Sequence, residues 1–332
     1  MGVSVAALLQ PVEANQKIRA AREAAVALLK PSEKQLQHGL ELHAQSLVVE
    51  SYGFSPRSAI DGDAMRQAIE AGAGDAELDD LQTEMLLARV AADASQRQEY
   101  LDAWNASGVT CVLQNAGEES SSPLRLLKRL AHFTYLTDVL REQVSRAAVP
   151  GDIEAAKKQG RRCLYLTGNG VPLAQEWNSV ADELSWIHLF FQLGIRMMHL
   201  TYNRRNVLGD GCAEPADAGI SDLGRAAIAE MNRVGVIVDV AHSGWRTSLE
   251  SAKASTKPVV ASHSGAVGVH RHIRSKPDEV VRAIADSGGY VGVYSVASFL
   301  GRGGDLSAML DHIEYLVKRF GADHVAIGTD IA

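Results

Sequence analysis

Three apolar runs of this chain end in side chains that can bind a metal or move a proton. Residues 235–242, GVIVDVAH, carry Asp239 and His242. Residues 258–263, PVVASH, end in Ser262 and His263, and residues 324–330, HVAIGTD, end in Thr329 and Asp330. Imidazole is a good zinc ligand, and a carboxylate beside it can complete a ligand set or act as a base. A single such histidine would read as a satisfied core residue. Three titratable groups, each closing a different run, point instead to one shared site.

What must position them is an alternation of short apolar runs with helical patterns that continues from about residue 45. The first strand is expected at 46–51 (SLVVES), the second at 109–113 (VTCVL), the third at 162–167 (RCLYLT) and the fourth at 196–201 (RMMHLT). The three runs above are the fifth, sixth and eighth, and 289–295 (GYVGVYS) is the seventh. Between them lie segments of helical period, among them a Leu-rich stretch from Pro123 and ISDLGRAAIAEMNRVG, for which Ser221 is the expected N-cap. Mostly apolar strands separated by helices imply parallel strands covered on the outside. Eight such units predict an α/β fold of the (β/α)8 TIM barrel type over residues 45–332, with an N-terminal helical extension over 1–44 that Pro11 breaks. A doubly wound open sheet is the alternative. In a barrel, chemistry sits where the strands end, so Asp239, His242, His263 and Asp330 should share one mouth. The chain stops two residues after Asp330, so no eighth outer helix follows, and a truncated C-terminus is the expectation.

Composition narrows the partners. A net charge of −7 argues against nucleic acid or an anionic membrane surface as the main partner. No stretch approaches the ~18 consecutive apolar residues of a membrane span. Cys111, Cys163 and Cys212 are widely spaced and odd in number, so free thiols and a reducing cytoplasm are expected.

The residues around the candidate site also carry a resemblance. LGIRMMHLTYNRRN, GISDLGRAAIAEMNRVGVIVDVAHS, PVVASHS, HRHIRSKPDE, GGYVGV and a final GTD occur in that order. Together they resemble the membrane (renal) dipeptidases, zinc metallopeptidases of the amidohydrolase superfamily. The resemblance implies that His242 and His263 hold one zinc, that Arg274 grips the C-terminal carboxylate of a dipeptide, and that Asp330 orients the attacking water and shuttles its proton. Tyr202 and Asn203 fall in the substrate loop after strand four, with Arg204, Arg205 and Asn206. His270 and His272 are expected to be solvated.

Other positions depart from that pattern. The first-strand His-x-Asp pair is replaced by Tyr52 and Phe54. Strand three ends in Thr167, with Asn169 beyond it, where the family has a bridging glutamate; Glu176 is the nearest acid, in a loop. Tyr202 stands where the family has a histidine that steadies the tetrahedral intermediate. His43 precedes its strand and should lie at the opposite face of the barrel. A two-zinc centre is therefore not expected: at most one weakly held zinc, or none. The expected function is a dipeptidase-like metal-dependent hydrolase of a dipeptide or related small amide. The alternative is a metal-depleted member that binds a small carboxylate ligand or serves as an interaction subunit. A homodimer is left open.

Overall fold

The apolar runs assemble as one parallel sheet in the computed structural model, which describes residues 15–117 and 121–331; the break expected at Pro11 lies outside them. The strands are β1 (Val49–Gly53), β2 (Cys111–Asn115), β3 (Val144–Ala147), β4 (Arg162–Gly168), β5 (Met197–His199), β6 (Ile237–Asp239), β7 (Val259–Ala266), β8 (Ser275–Lys276), β9 (Val291–Val293) and β10 (Val325–Ile327). Eight of them follow in the order β1-β2-β4-β5-β6-β7-β9-β10, each parallel to its neighbours. Hydrogen bonds from Asp330 N to Tyr52 O and from Phe54 N to Ile331 O, both 3.2 Å, draw the last strand against the first. The result is a near-closed eight-stranded barrel with helices outside.

Period-2 alternation sorts the side chains. Leu164, Leu166, Met198, Val238, Val259 and Ala261 face the main core beneath the helices. Tyr52, Cys111, Cys163, Met197 and Val260 form the second cluster, which fills the barrel's interior. The three cysteines are buried and free.

The helices that matter for the site are α1 (Gln16–Leu29), α2 (Glu33–Gln45), α3 (Gly62–Glu70), α4 (Asp75–Ala92), α5 (Ala94–Ser107), α6 (Pro123–Val139), α7 (Pro150–Lys158), α8 (Val180–Gln192) and α9 (Asp222–Val234). The Ser221 hydroxyl accepts from Gly224 N and starts α9, and Gly235, at φ 96°, ends it so that β6 can begin. Ahead of the barrel, the Ser32 hydroxyl and Gln35 cap α2 reciprocally. His43 on α2 bonds Ser107 O at 2.8 Å, ahead of β2 and therefore at the face away from the strand ends.

The elements differ from the sequence reading in places. The first two strands begin two to three residues later than 46 and 109, because Gly108 (φ 67°) closes α5 and Thr110 N and Cys111 N both reach back to Val48 O. The Leu-rich helix stops at Val139, and Val144–Ala147 forms an extra strand parallel to the first half of β4, opposite residues 162–165. Only its end residues are buried, so its pattern was too short to declare itself. Among the described residues no helix is long and apolar enough to cross a membrane.

Candidate metal centre

The strand ends converge as the barrel geometry requires. His199 ends β5, Asp239 ends β6 directly beside it in register, His242 follows in the next turn, and Ser262 and His263 lie within β7. All five are buried, none exposing more than 3% of its surface. Ring nitrogens of His199, His242 and His263 all lie within 4.8 Å of one another. Asp330, held at φ 61°, places Oδ2 3.9 Å from His263 Nε2.

Hydrogen bonding fixes where the protons are. Asp239 Oδ1 accepts from Ala241 N at 2.9 Å and Ser262 N at 3.1 Å, and Oδ2 accepts a short bond from the Ser262 hydroxyl. That hydroxyl has spent its only proton, so the 2.8 Å contact with His263 Nδ1 must be donated by the ring. His263 Nε2 therefore bears a lone pair. His242 Nδ1 lies 2.8 Å from Asn203 Oδ1, which only accepts, so His242 Nε2 also bears a lone pair. The two Nε2 atoms face each other at 2.9 Å with no proton of their own to share.

That juxtaposition is repulsive unless a cation lies against both. Zinc–nitrogen bonds of about 2.0–2.1 Å set two tetrahedral ligand nitrogens roughly 3.3 Å apart, so opening the pair by a few tenths of an ångström would admit an ion. His199 supplies a third donor: its Nε2 lies 2.9 Å from Asp239 Oδ2, yet neither ring nitrogen makes a well-directed hydrogen bond. Among the described residues neither nitrogen is satisfied, so a small turn of this buried ring can direct one to Asp239 and the other to an ion. Burial, followed by the charge of Arg274, holds His242 and His263 well below the usual histidine pKa, so both are ready to ligate. Burial pushes Asp239 upward, but His199 and the hydrogen bonds outweigh it and keep the carboxylate ionised.

Two tyrosines roof the cluster. Tyr52 stacks on His263 with ring centres 3.9 Å apart, and Tyr202 stacks on His242 at 4.0 Å. Tyr52 donates a short hydrogen bond to Asn169 Oδ1, and burial, then the Asp330 and Asp239 carboxylates, keep it a neutral phenol. Above them opens a cavity of about 420 Å³, bordered by Tyr52, Asn169, Tyr202, His242 and Asp330, with Arg57, Arg125 and Arg129 on the β1–β2 side.

The structure thus brings His242, His263 and Asp330 together, with Tyr202 and Asn203 touching His242. Asn203, at φ 54°, orients that imidazole rather than merely bordering a substrate loop. Arg205 is engaged with Asp210. Arg274 is buried behind His263, 3.4 Å from its carbonyl oxygen, and is not among the described residues lining the cavity. His272 is half-buried against Phe299. Glu176 is exposed at a loop tip whose flanking amides, Gln175 N and Trp177 N, bond Glu183. Sequence reasoning missed His199, although alternation along β5 puts it on the interior face with Met197.

The profile of the membrane dipeptidase family, peptidase family M19, matches residues 44–332. The chain belongs to that family. It is 25% identical over 200 residues, 59% of its length, to dipeptidase tcpJ of Claviceps purpurea, covering 46% of that protein. It is 30% identical over 159 residues, 46% of its length, to dipeptidase aclJ of Aspergillus oryzae, covering 38% of it. The chain thus spans less than half the length of these curated relatives. An amidohydrolase from Pseudomonas aeruginosa superposes with a TM-score of 0.67 at 29% identity, over 88% of this chain and 76% of the other. The near-closed barrel and this membership agree, since the amidohydrolase neighbour shares the fold over most of both chains.

Proposed function

We propose that this chain hydrolyses a dipeptide or related small amide with a single divalent ion, zinc by ligand type, held by His199, His242 and His263. The observation that carries the reading is the convergence of three buried imidazoles within 4.8 Å. Three protein ligands with a position left open is the usual form of a catalytic zinc site. An ion there supplies Lewis-acid polarisation of a carbonyl and acidifies a water molecule.

The rest is done by the chain. Asp330 Oδ2 borders the cavity and lies near His263, where it can accept the proton of an attacking water and return it to the leaving amine. Asp239 and Ser262 keep His263 in the tautomer with Nε2 bare, and Asn203 does the same for His242. Tyr52 and Tyr202 exclude water from the imidazoles and leave the cavity side for substrate.

Charge supports one ion rather than two. Asp239 and Asp330 balance a single divalent cation. A second would leave two uncompensated charges beside the buried cations Arg274 and Lys276, at several kcal/mol of desolvation per ion. Glu50 does not relieve this. Burial raises its pKa, and its Oε1 is engaged by Thr329 N and Oγ1 at 2.5 and 2.6 Å, tying β1 to the end of β10. Tyr52, Phe54 and Thr167 are poor ligands.

One observation favours the alternative, a ligand-binding member with little turnover: the stacked tyrosines leave His242 only 3% exposed and His263 fully covered. Elemental analysis of protein purified without chelator, combined with hydrolysis of a dipeptide panel, decides. About one ion per chain with metal-dependent turnover is expected. Two tightly held ions, or none, would overturn the single-ion reading, and one ion without turnover would favour the alternative.

A further inference from the structure

The end of the barrel where the strands start carries a separate cavity of about 360 Å³. That size is usual for a small-ligand site, roughly 300–1,000 Å³. It lies where β6, β7 and β9 begin, so it opens away from the histidine cluster. Ile237, Pro258, Val260 and Tyr290 wall it. Ile237 and Val260 also belong to the cluster that fills the barrel's interior. Side chains alternate along a strand, so these two share a face with Asp239 and Ser262, two residues on, and form the layer below them.

Apolar walls leave the ligand open, and the polar groups narrow it. Asn232, near the end of α9, borders the cavity. Its Oδ1 accepts from Thr256 N at 2.7 Å, Thr256 Oγ1 at 3.0 Å and Ser255 Oγ at 3.1 Å. A backbone N–H only donates, so the oxygen cannot trade places with the amide nitrogen. Nδ2 is thereby turned away from these donors, buried and without a partner among the described residues. A buried donor left unpaired is unfavourable until an acceptor arrives. Lys257, exposed at the border, brings a positive charge, and none of the described residues lining the cavity is acidic. Tyr290 adds a phenol that burial, then Asp239 and Tyr165, keeps protonated and able to donate. Donors without an acid, set among apolar walls, suit an anion with an apolar body. One lysine balances one negative charge, which favours a monocarboxylate over a phosphate dianion.

We propose that this cavity binds a small monocarboxylate with an apolar body, its carboxylate at Asn232 Nδ2 and Lys257 and its hydrocarbon against Ile237, Pro258 and Val260. The carboxylate supplies the acceptor that Asn232 lacks, and the hydrocarbon takes apolar wall out of water. The site stands apart from the histidine cluster and does not depend on the hydrolase reading.

Calorimetric titration tests it with butanoate, hexanoate and octanoate, and with octanamide as the neutral counterpart, on protein as purified and on protein stripped of metal. Octanoate should bind tightest, gaining up to about fourfold per methylene along the series, the effect of burying a CH2 group. Octanamide should bind about tenfold more weakly or worse, the effect of losing a charged hydrogen bond. Octanoate binding should survive stripping, which separates this site from carboxylate ligation at the histidines. Asn232→Asp keeps an acceptor for Thr256 and Ser255 but sets a negative oxygen in place of Nδ2, and should weaken octanoate about ten- to a hundredfold. Lys257→Glu should act in the same direction, and because Lys257 is exposed it keeps the test readable if Asn232→Asp does not fold. Lys257→Arg, which preserves the charge, should stay within about threefold of wild type. No octanoate binding, a flat chain-length series, equal binding of octanamide, loss on stripping, or Asn232→Asp and Lys257→Glu proteins that bind as wild type does would overturn the proposal.

Discussion

Replacing Asp239 by asparagine should weaken metal binding without touching a ligand, by moving one proton. Oδ1 accepts from two backbone amides, Ala241 N and Ser262 N, so the new side chain must keep its carbonyl oxygen there. Its amino group then takes the place of Oδ2, facing the Ser262 hydroxyl and His199 Nε2. Ser262 must now accept from that group and donate to His263 Nδ1. His263 is forced to carry its proton on Nε2, where it points at His242 and not at an ion. Changes behind a ligand of this kind cost about 10–100-fold in affinity. With zinc at 100 times the wild-type Kd, binding adds ~2.7 kcal/mol to stability in wild type and only about 0.4–1.4 kcal/mol in the variant. At ~2.1 cal/mol/K per residue over 332 residues, zinc should raise the melting temperature by about 4 °C in wild type and roughly 0.6–2 °C in Asp239→Asn. Zinc titration followed by calorimetry gives the affinities, and long-range proton–nitrogen correlation of labelled histidines gives the tautomer. Unchanged affinity together with His263 still protonated on Nδ1 would refute the proton assignment.

Other expectations use different parts of the molecule. His199→Ala removes one of the three proposed ligands and should lose more affinity than the roughly 10–100-fold of a supporting change, measured in the same titration; equal affinity would remove His199 from the set. Gly292→Ala should lower stability and disturb the site, because a Cβ there would overlap the Ser262 carbonyl oxygen and crowd Ser51 Oγ, which donates to that oxygen at 2.8 Å; an unchanged denaturation midpoint and zinc affinity would contradict it. His312 accepts from Ala266 N at 2.9 Å, so its ring is neutral in the fold, and burial lowers its pKa despite the Leu300 carbonyl. Its contribution is complete above about pH 6.5. As pH falls below that value the unfolded chain takes a proton the fold refuses, costing up to ~1.4 kcal/mol per pH unit. His312→Gln should flatten the acid limb by that slope in denaturant titrations of metal-free protein, and a slope equal to that of wild type would count against it.

Much of the barrel was legible because strand and helix periods alternate without interruption from β1 to β10. What stayed hidden was too short, or too much at odds with the usual burial of charged residues, to leave a pattern. Ser275–Lys276 is a two-residue strand on β7, and its Lys276 is fully buried with Nζ on Ser243 O at 2.7 Å and Ser248 Oγ at 3.0 Å. No pattern rule places a lysine there, since charged side chains are almost never fully covered. The meeting of Arg57, Arg125 and Arg129 at the cavity was equally silent. Arg57 sits in a loop and Arg125 and Arg129 on a helix, and only the closed barrel turns those segments over the same mouth.

His199 differs, for its position could have been read. In RMMHLT the residues alternate between the two faces of a strand: Met198 and Leu200 belong to the outer core, so Met197 and His199 must point inward. The neighbouring run, GVIVDVAH, alternates likewise, with Val238 and Val240 outward and Asp239 inward. Aligning the ends of two parallel strands then sets His199 beside Asp239, the pairing the sheet contains. Tyr202, three residues on, stands at the mouth, and the chain carries its histidine a layer deeper. The depth matters physically. At the mouth a histidine meets solvent and substrate, whereas at the level of Asp239 it gains a buried carboxylate behind it and two imidazoles around it. The proposed set of three imidazoles, one layer down, needs no acid from β1 or β4, so Tyr52 and Thr167 at those strand ends are compatible with it.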